Sequence, residues 1–376
     1  METKIIFLTN IPFMKHHYRD MYVEEISKKY IVDLWDLSIL YNSSYIQQGI
    51  SDFNEAKKID TITSFENLIK ETLSSYVPIV ITNILNRNLG KVYNILKKYN
   101  IPIVCINKES FATSLEYRGK IHYLRYFDLR SQLSSIGHSL PIVSTILEKR
   151  TLGKFQYDYL IGGHNYFPVQ SKRFLKIHQI KYDEYLKASL SEDIIKKKYI
   201  LYIGSAPSSH PAYIGKPNTL NHKEYLKTLN TYLRKVEEDT GLEVVISGHP
   251  KGSYNEEEFG NRQILIGNTA ELIHYSEGVI CHFSTSLVNA VLEYKPMQII
   301  YNSTILRSSF ANTMVSGLEL GRICKADICD LNNYHKWEMK MNKSAYNKFL
   351  EDEIINTEHP DKNNAELIRQ YLEEIK

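Results

Sequence analysis

The chain has 376 residues, too many for one ordinary hydrophobic core and enough for two domains of roughly 150–200 residues each. A formal net charge of +3, with lysine mostly interleaved with glutamate, excludes the strongly basic footprint of a general nucleic-acid binder. The 43% hydrophobic content is that of a folded globular protein, and the excess of 28 tyrosines over 2 tryptophans reads as compositional bias rather than a site.

Cys105 and Cys281 fall in or beside apolar runs, where a thiol behaves as a small hydrophobe. Cys324 and Cys329 lack a CxxC spacing and a second pair, so no zinc site is expected and the profile is that of a reducing compartment. Residues 1–4 lead straight into the apolar run 5–8 without a signal-peptide pattern. No apolar run approaches the ~20 residues of a membrane span. The expectation is a soluble, cytoplasmic protein.

Short β-branched runs alternate with longer helical patterns. Strands are expected at 5–8, 31–35, 79–81, 103–106 and 157–161, with helices over 18–29, 65–74, 90–98 and 140–149. The pattern restarts after Lys196-Lys197-Lys198: a strand at 199–203, a helix over 222–238, then strands at 243–246, 263–266, 278–280 and 297–300. Apolar strands separated by helices argue for parallel sheets buried on both faces. This predicts two doubly wound α/β domains, 1–195 and 196–376. The charged, helical segment 336–376 could return to the first domain. In such folds ligands bind beyond the C-terminal strand ends. Neither G-x-G-x-x-G after the first strand nor G-x-x-x-x-G-K-[ST] occurs, which disfavours dinucleotide oxidoreductases and P-loop NTPases.

Three loops of the second half carry candidate chemistry. The run Val244-Val245-Ile246-Ser247-Gly248 ends in His249-Pro250-Lys251-Gly252, where proline stiffens the turn that aims the histidine. Gly278-Val279-Ile280-Cys281 leads through His282-Phe283 to Ser284-Thr285-Ser286 before an apolar helix. One hydroxyl suffices for an N-cap, so the others could meet a phosphate at the helix N-terminus. Gly204-Ser205-Ala206-Pro207-Ser208-Ser209-His210 offers small residues that admit a ligand close to the backbone. Asn268-Thr269-Ala270-Glu271 reads as a cap with an acidic first turn.

In the first half, the segment 9–20 carries His16, His17, Arg19 and Asp20, any of whose imidazoles or carboxylate could serve as general base. A solvated helix start explains the same residues. Asp36 and the loop Gly162-Gly163-His164-Asn165 are further candidates.

On His249-Pro250 and on Ser284-Thr285 or Thr285-Ser286, the region 198–296 resembles bacterial sialyltransferase-type GT-B glycosyltransferases and related capsule and lipopolysaccharide transferases. The region is about a quarter of the chain. The resemblance implies a GT-B-like fold of two Rossmann-like domains facing a central cleft. It also implies that His249 and the hydroxyls hold the phosphate of a CMP-activated acidic sugar. One departure stands out: the acidic Asp/Glu-Asp/Glu-Gly triplet that supplies the base in several such families is absent from residues 1–190. The same scaffold resembles CDP-glycerol transferases.

The expected activity is therefore an inverting, metal-independent glycosyltransferase. It would move a nonulosonic acid or Kdo residue from a CMP donor to a surface glycan. The expected catalytic groups are His17, Asp20 and His249, with the donor held by Gly204, Ser205, His249, Pro250, Ser284, Thr285 and Ser286. No cofactor is expected beyond the donor itself. The expected partners are the nucleotide sugar and a glycan or lipid-linked glycan acceptor, with Lys196–Lys198 able to touch anionic lipid at the inner membrane face. The rivals are a UDP-sugar transferase or epimerase, and a non-catalytic sugar-nucleotide-binding subunit.

Overall fold

In a computed structural model the described residues are 1–41, 55–83, 90–107, 156–163, 171–210, 218–250 and 254–375, with single positions at 115, 116, 118, 119, 122 and 252. The chain forms two compact units.

The first unit is built on a parallel sheet of β1 (Glu2–Thr9), β2 (Ile31–Asp36), β3 (Lys57–Lys58), β4 (Tyr76–Thr82), β5 (Ile103–Asn107), β6 (Tyr157–Gly162) and β7 (Ser171–Lys176), in the order β3-β2-β1-β4-β5-β6-β7. Alternate residues of a strand face opposite ways, and both sets here are apolar. Ile5, Phe7, Ile79 and Ile81 join Leu367, Ile368 and Leu372 of the helix Asn364–Ile375 in one core. Ile6, Leu8, Val80 and Cys105 join Trp35, Phe65, Ile69 and Leu96 in the other. The helix Ile62–Leu73 starts at Thr61, whose side chain accepts from the Ser64 N–H, and buries Phe65 and Ile69. The helix Gly90–Lys98 buries Val92, Ile95 and Leu96.

Two sequence expectations change here. The helix over 18–29 is two short ones, Lys15–Asp20 and Val23–Ser27, separated by Tyr22 at φ +56°. Its left-handed backbone breaks the helix, and its hydroxyl accepts from Asn364 Nδ2 at 3.0 Å. Strands β3 and β7 were not foreseen, because edge strands carry charge (Lys57, Lys58, Lys172, Arg173) instead of a continuous apolar run. The helix expected over 140–149 lies outside the described residues.

The second unit holds β8 (Tyr199–Ile203), β9 (Glu243–Gly248), β10 (Ile264–Ile266), β11 (Gly278–Cys281), β12 (Met297–Tyr301) and β13 (Asp327–Asp330). All neighbours are parallel, in the order β10-β9-β8-β11-β12-β13. Counted within the unit this is 3-2-1-4-5-6, the dinucleotide-binding order, with its reversal between β8 and β11. β8 is buried throughout, and the helix His222–Thr240 covers it with Tyr225, Leu229, Tyr232 and Leu233. Two Rossmann-like α/β units are the fold class expected of a GT-B-like chain.

The units are not the two halves of the sequence. The first comprises 1–110, 140–180 and 356–376, and the second 111–139 and 181–355. The helix Lys181–Ala188 belongs to the second unit, so the division falls earlier than residue 195. The segment 336–376 is only partly helical, with helices at Lys343–Phe349 and Asn364–Ile375 and a π-turn at Leu350–Ile354 between them. Among the described residues no helix is long and apolar enough to cross a membrane.

Candidate functional site

Parallel strands all end on one edge of the sheet, and the loops beside the strand-order reversal form its ligand crevice. In the second unit these are the loops after β8, β9 and β11. They are cross-bonded. The Gly204 N–H donates to Ser247 O at 2.8 Å, joining the ends of β8 and β9. The Ser205 hydroxyl donates to Phe283 O at 2.7 Å, joining β8 to β11. Ser205, expected as a donor ligand, thus spends its proton on the scaffold and keeps only lone pairs for a ligand.

Tyr254 fixes the β9 loop. Its hydroxyl accepts from the His249 N–H at 2.8 Å and donates to Gly204 O at 3.1 Å. Its ring fills a space that exists only because three positions lack side chains. A Cβ on Gly204 would sit 2.8 Å from the Tyr254 hydroxyl, and one on Gly252 would sit 2.6 Å from the ring. At Gly248 the same ring would lie 3.1 Å away. Burial pushes the Tyr254 phenol up to about 12, and the bond from the His249 N–H pulls it part of the way back. The Gly252 N–H donates to His249 O at 2.9 Å, closing a turn with Pro250 in the position that favours a fixed φ. His249 is half-buried and Pro250 is exposed. The imidazole is therefore carried on a loop held at three points.

After β11, the Ser284 hydroxyl accepts from the Ser286 N–H at 3.2 Å. The carbonyls of Ser284, Thr285 and Ser286 accept from the N–H groups of Leu287, Val288 and Asn289. The following helix, Leu287–Leu292, is short, and its N-cap Ser286 makes no side-chain cap bond. The expected helix N-terminal cradle is corrected accordingly: the first helical N–H groups already have partners. What remains for a ligand is the pair of half-buried hydroxyls of Thr285 and Ser286, which have no hydrogen bond among the described residues.

His282, between strand and hydroxyls, is fully buried and has a different task. Its Nδ1 lies 2.6 Å from Ile300 O, so that nitrogen carries the proton. Its Nε2 then accepts from the Tyr225 hydroxyl at 3.0 Å, which in turn accepts from Tyr202 at 2.9 Å. Burial drives its pKa down to about 4, with the bond to Ile300 opposing. The folded state holds this ring neutral, whereas the unfolded chain protonates it near 6.5. Its contribution to stability is present above pH 6.5 and is lost as pH falls towards 4. We expect unfolding free energy to drop by roughly 2 kcal/mol between pH 7.5 and 5.0 from this ring alone. Urea titrations of wild type and His282→Gln at the two pH values check it. An equal pH dependence in both proteins would contradict this assignment.

The loop before the helix Thr269–Tyr275 is also scaffold. Asn268 occupies the cap position at φ +52° without a side-chain bond, and Thr269 Oγ1 lies 2.8 Å from Ser247 Oγ.

The two remaining candidates, His17 and Asp20, belong to the first unit, on the helix Lys15–Asp20 after β1. Both are buried. His17 Nδ1 accepts from the Met14 N–H at 3.1 Å, so a neutral ring carries its proton on Nε2 and lacks the free lone pair of a base. Asp20 Oδ1 accepts from Arg19 Nε at 3.0 Å. Asp36 accepts from the Ser38 N–H at 2.8 Å and so starts the helix Ser38–Tyr41. Gly163 is described, whereas His164 and Asn165 lie outside the described residues, as does the side chain of His16.

The structure thus brings Gly204, Ser205, His249, Pro250 and Ser284–Ser286 to one edge of one sheet. Sequence reasoning passed over Tyr254, whose signal was the glycine set around it, and named His210 only as the end of a small-residue loop.

No family model matches the chain, and no curated protein matches it. Among solved structures it is similar to UDP-GlcNAc 2-epimerase from Methanocaldococcus jannaschii, with 12% identity, full coverage of both chains and a TM-score of 0.49. It is also similar to MurG from Acinetobacter baumannii, with 10% identity, full coverage of both chains and a TM-score of 0.46. A third is the S. aureus MnaA–UDP structure, with 13% identity, 99% of this chain and 97% of that chain covered, and a TM-score of 0.46.

Proposed function

We propose that the chain is an inverting glycosyltransferase whose second unit binds a CMP-activated sugar acid. The observation that carries this reading is the cross-bonded set of loops after β8, β9 and β11. It presents His249 and the Thr285 and Ser286 hydroxyls at the edge where a Rossmann-like sheet binds nucleotides. His249 stabilises the departing phosphate, and the two hydroxyls donate to its remaining oxygens. As the acceptor oxygen attacks the anomeric carbon, the bond from that carbon to the phosphate oxygen breaks and CMP leaves. The acceptor proton passes to a general base. A surface glycan or a lipid-linked glycan is the acceptor.

The test is the thermal shift of the pure protein with CMP, CDP, UDP and GDP. A ligand at 100 times its Kd stabilises by about 2.7 kcal/mol, a shift of a few degrees. The reading expects selective stabilisation by cytidine nucleotides that is lost in His249→Ala. A UDP-selective shift would replace the donor by a UDP-sugar, and the absence of any shift would remove the nucleotide site.

A further inference from the structure

The β8 loop brings a second imidazole to the same place. The rings of His210 and His249 lie edge to face, with centroids 4.7 Å apart and planes at 73°. The two residues come from different strand ends, and each loop is fixed separately. The His249 loop is held by Tyr254. In the other loop, Ala206 adopts φ +48°, and its carbonyl accepts from the N–H groups of Ser209 at 3.1 Å and His210 at 2.9 Å. Ser208 Oγ lies 2.9 Å from His222 Nδ1, and His222 Nε2 lies 3.5 Å from Glu258 Oε2. That relay ties the loop to the start of the helix His222–Thr240 and to the short turn Glu257–Phe259. The backbones that carry the two imidazoles are thus held by separate contacts.

Two cation-capable rings at this separation disfavour carrying charge together unless negative charge sits beside both. A single phosphate matches one of them. A ligand with a second anionic group next to its phosphate matches the pair. Resting on the donor reading above, we infer that His210 and His249 form a two-imidazole clamp for a donor with two adjacent anionic groups, one of them the phosphate on His249. The second anion is either the carboxylate of a sugar acid or the second phosphate of a diphosphate. Both supply oxygens that accept from imidazole N–H groups.

Calorimetric titration of CMP, CDP and CMP-N-acetylneuraminate into wild type and His210→Gln tests this. His210→Asn and a thermal melt of each variant guard against a folding defect. The clamp expects the two ligands that carry a second anionic group to bind wild type more tightly than CMP. It also expects His210→Gln to weaken at least one of them tenfold or more, with CMP changing by less than about threefold. Loss confined to the CMP-sugar identifies the carboxylate as the second anion. Loss confined to CDP identifies the phosphate. Equal losses for all three ligands, or none, would overturn the clamp while leaving the nucleotide site standing. Failure of every ligand to bind wild type would overturn both.

Discussion

Replacing His249 by alanine is expected to lower turnover by about 10²–10³, the usual cost of removing one preorganised group from a developing negative charge. The substitution deletes only the imidazole. The backbone N–H of residue 249 still donates to the Tyr254 hydroxyl, Pro250 still sets the turn, and the Gly252 N–H still closes it. The side chain is half-buried and is not part of the hydrophobic core, so the melting temperature should move by only a degree or two. Two measurements separate chemistry from folding. Donor hydrolysis without acceptor should fall in parallel with transfer, because both reactions release the same phosphate. The thermal melt should stay close to wild type. Unchanged transfer with a normal melt would remove His249 from the mechanism.

A second large effect is expected from Gly317→Ala, a residue outside the proposed donor contacts. Gly317 lies in the helix Ala311–Cys324, where this residue faces the strand end after β11. A Cβ there would overlap the His282 carbonyl oxygen and stand 3.0 Å from its carbon. Both obstacles are backbone, and no rotamer change relieves them. Alanine favours a helix over glycine by about 1 kcal/mol. That gain is outweighed, because the helix must retreat from packing that buries Met314, Val315 and Leu318. Overpacking of this kind costs up to about 3 kcal/mol. Gly90→Ala is the control, since a Cβ at Gly90 meets nothing within 4 Å among the described residues. Urea unfolding should show a clear loss for Gly317→Ala and none for Gly90→Ala. Equal stability of the two would mean that the helix moves freely, contrary to its packing. Nucleotide binding should weaken too, because the displaced carbonyl belongs to the residue that leads into Phe283 and the hydroxyls.

The central strands were legible because burial on both faces leaves an apolar, β-branched run, as at Tyr199–Ile203, where expected and observed bounds agree. The edge strands Lys57–Lys58 and Ser171–Lys176 were not, since an edge is protected by charge and so loses the pattern. The break at Tyr22 was also hidden, because nothing in a tyrosine announces a positive φ. At the site, His249-Pro250 and the hydroxyl run were visible as strand-end signals, and the structure brings them to the same edge. The roles within those motifs were less visible. Ser205 looked like a ligand and serves as a tie to Phe283, and His282 sits inside the quoted motif yet turns inward to Tyr225 and Ile300. Tyr254 was unreadable because its importance depends on Gly204, fifty residues earlier, meeting Gly248 and Gly252 in space.

The interleaving of the units bears on how the chain comes to be folded. The core under one face of the first sheet includes Leu367, Ile368, Tyr371, Leu372 and Ile375, while residues 111–139 of the early chain belong to the other unit. During synthesis, β1, β2 and β4 emerge first, but the helix that covers one of their faces is made after the entire second unit. Domains usually fold in the order in which they leave the ribosome. Here the second unit can complete its core while the face of the first that carries Ile5, Phe7, Ile79 and Ile81 has only its early cover, Phe13, Met21, Val23 and Ile26. The nascent protein therefore passes through a long interval with one sheet face only partly covered, an interval in which a chaperone has something to hold.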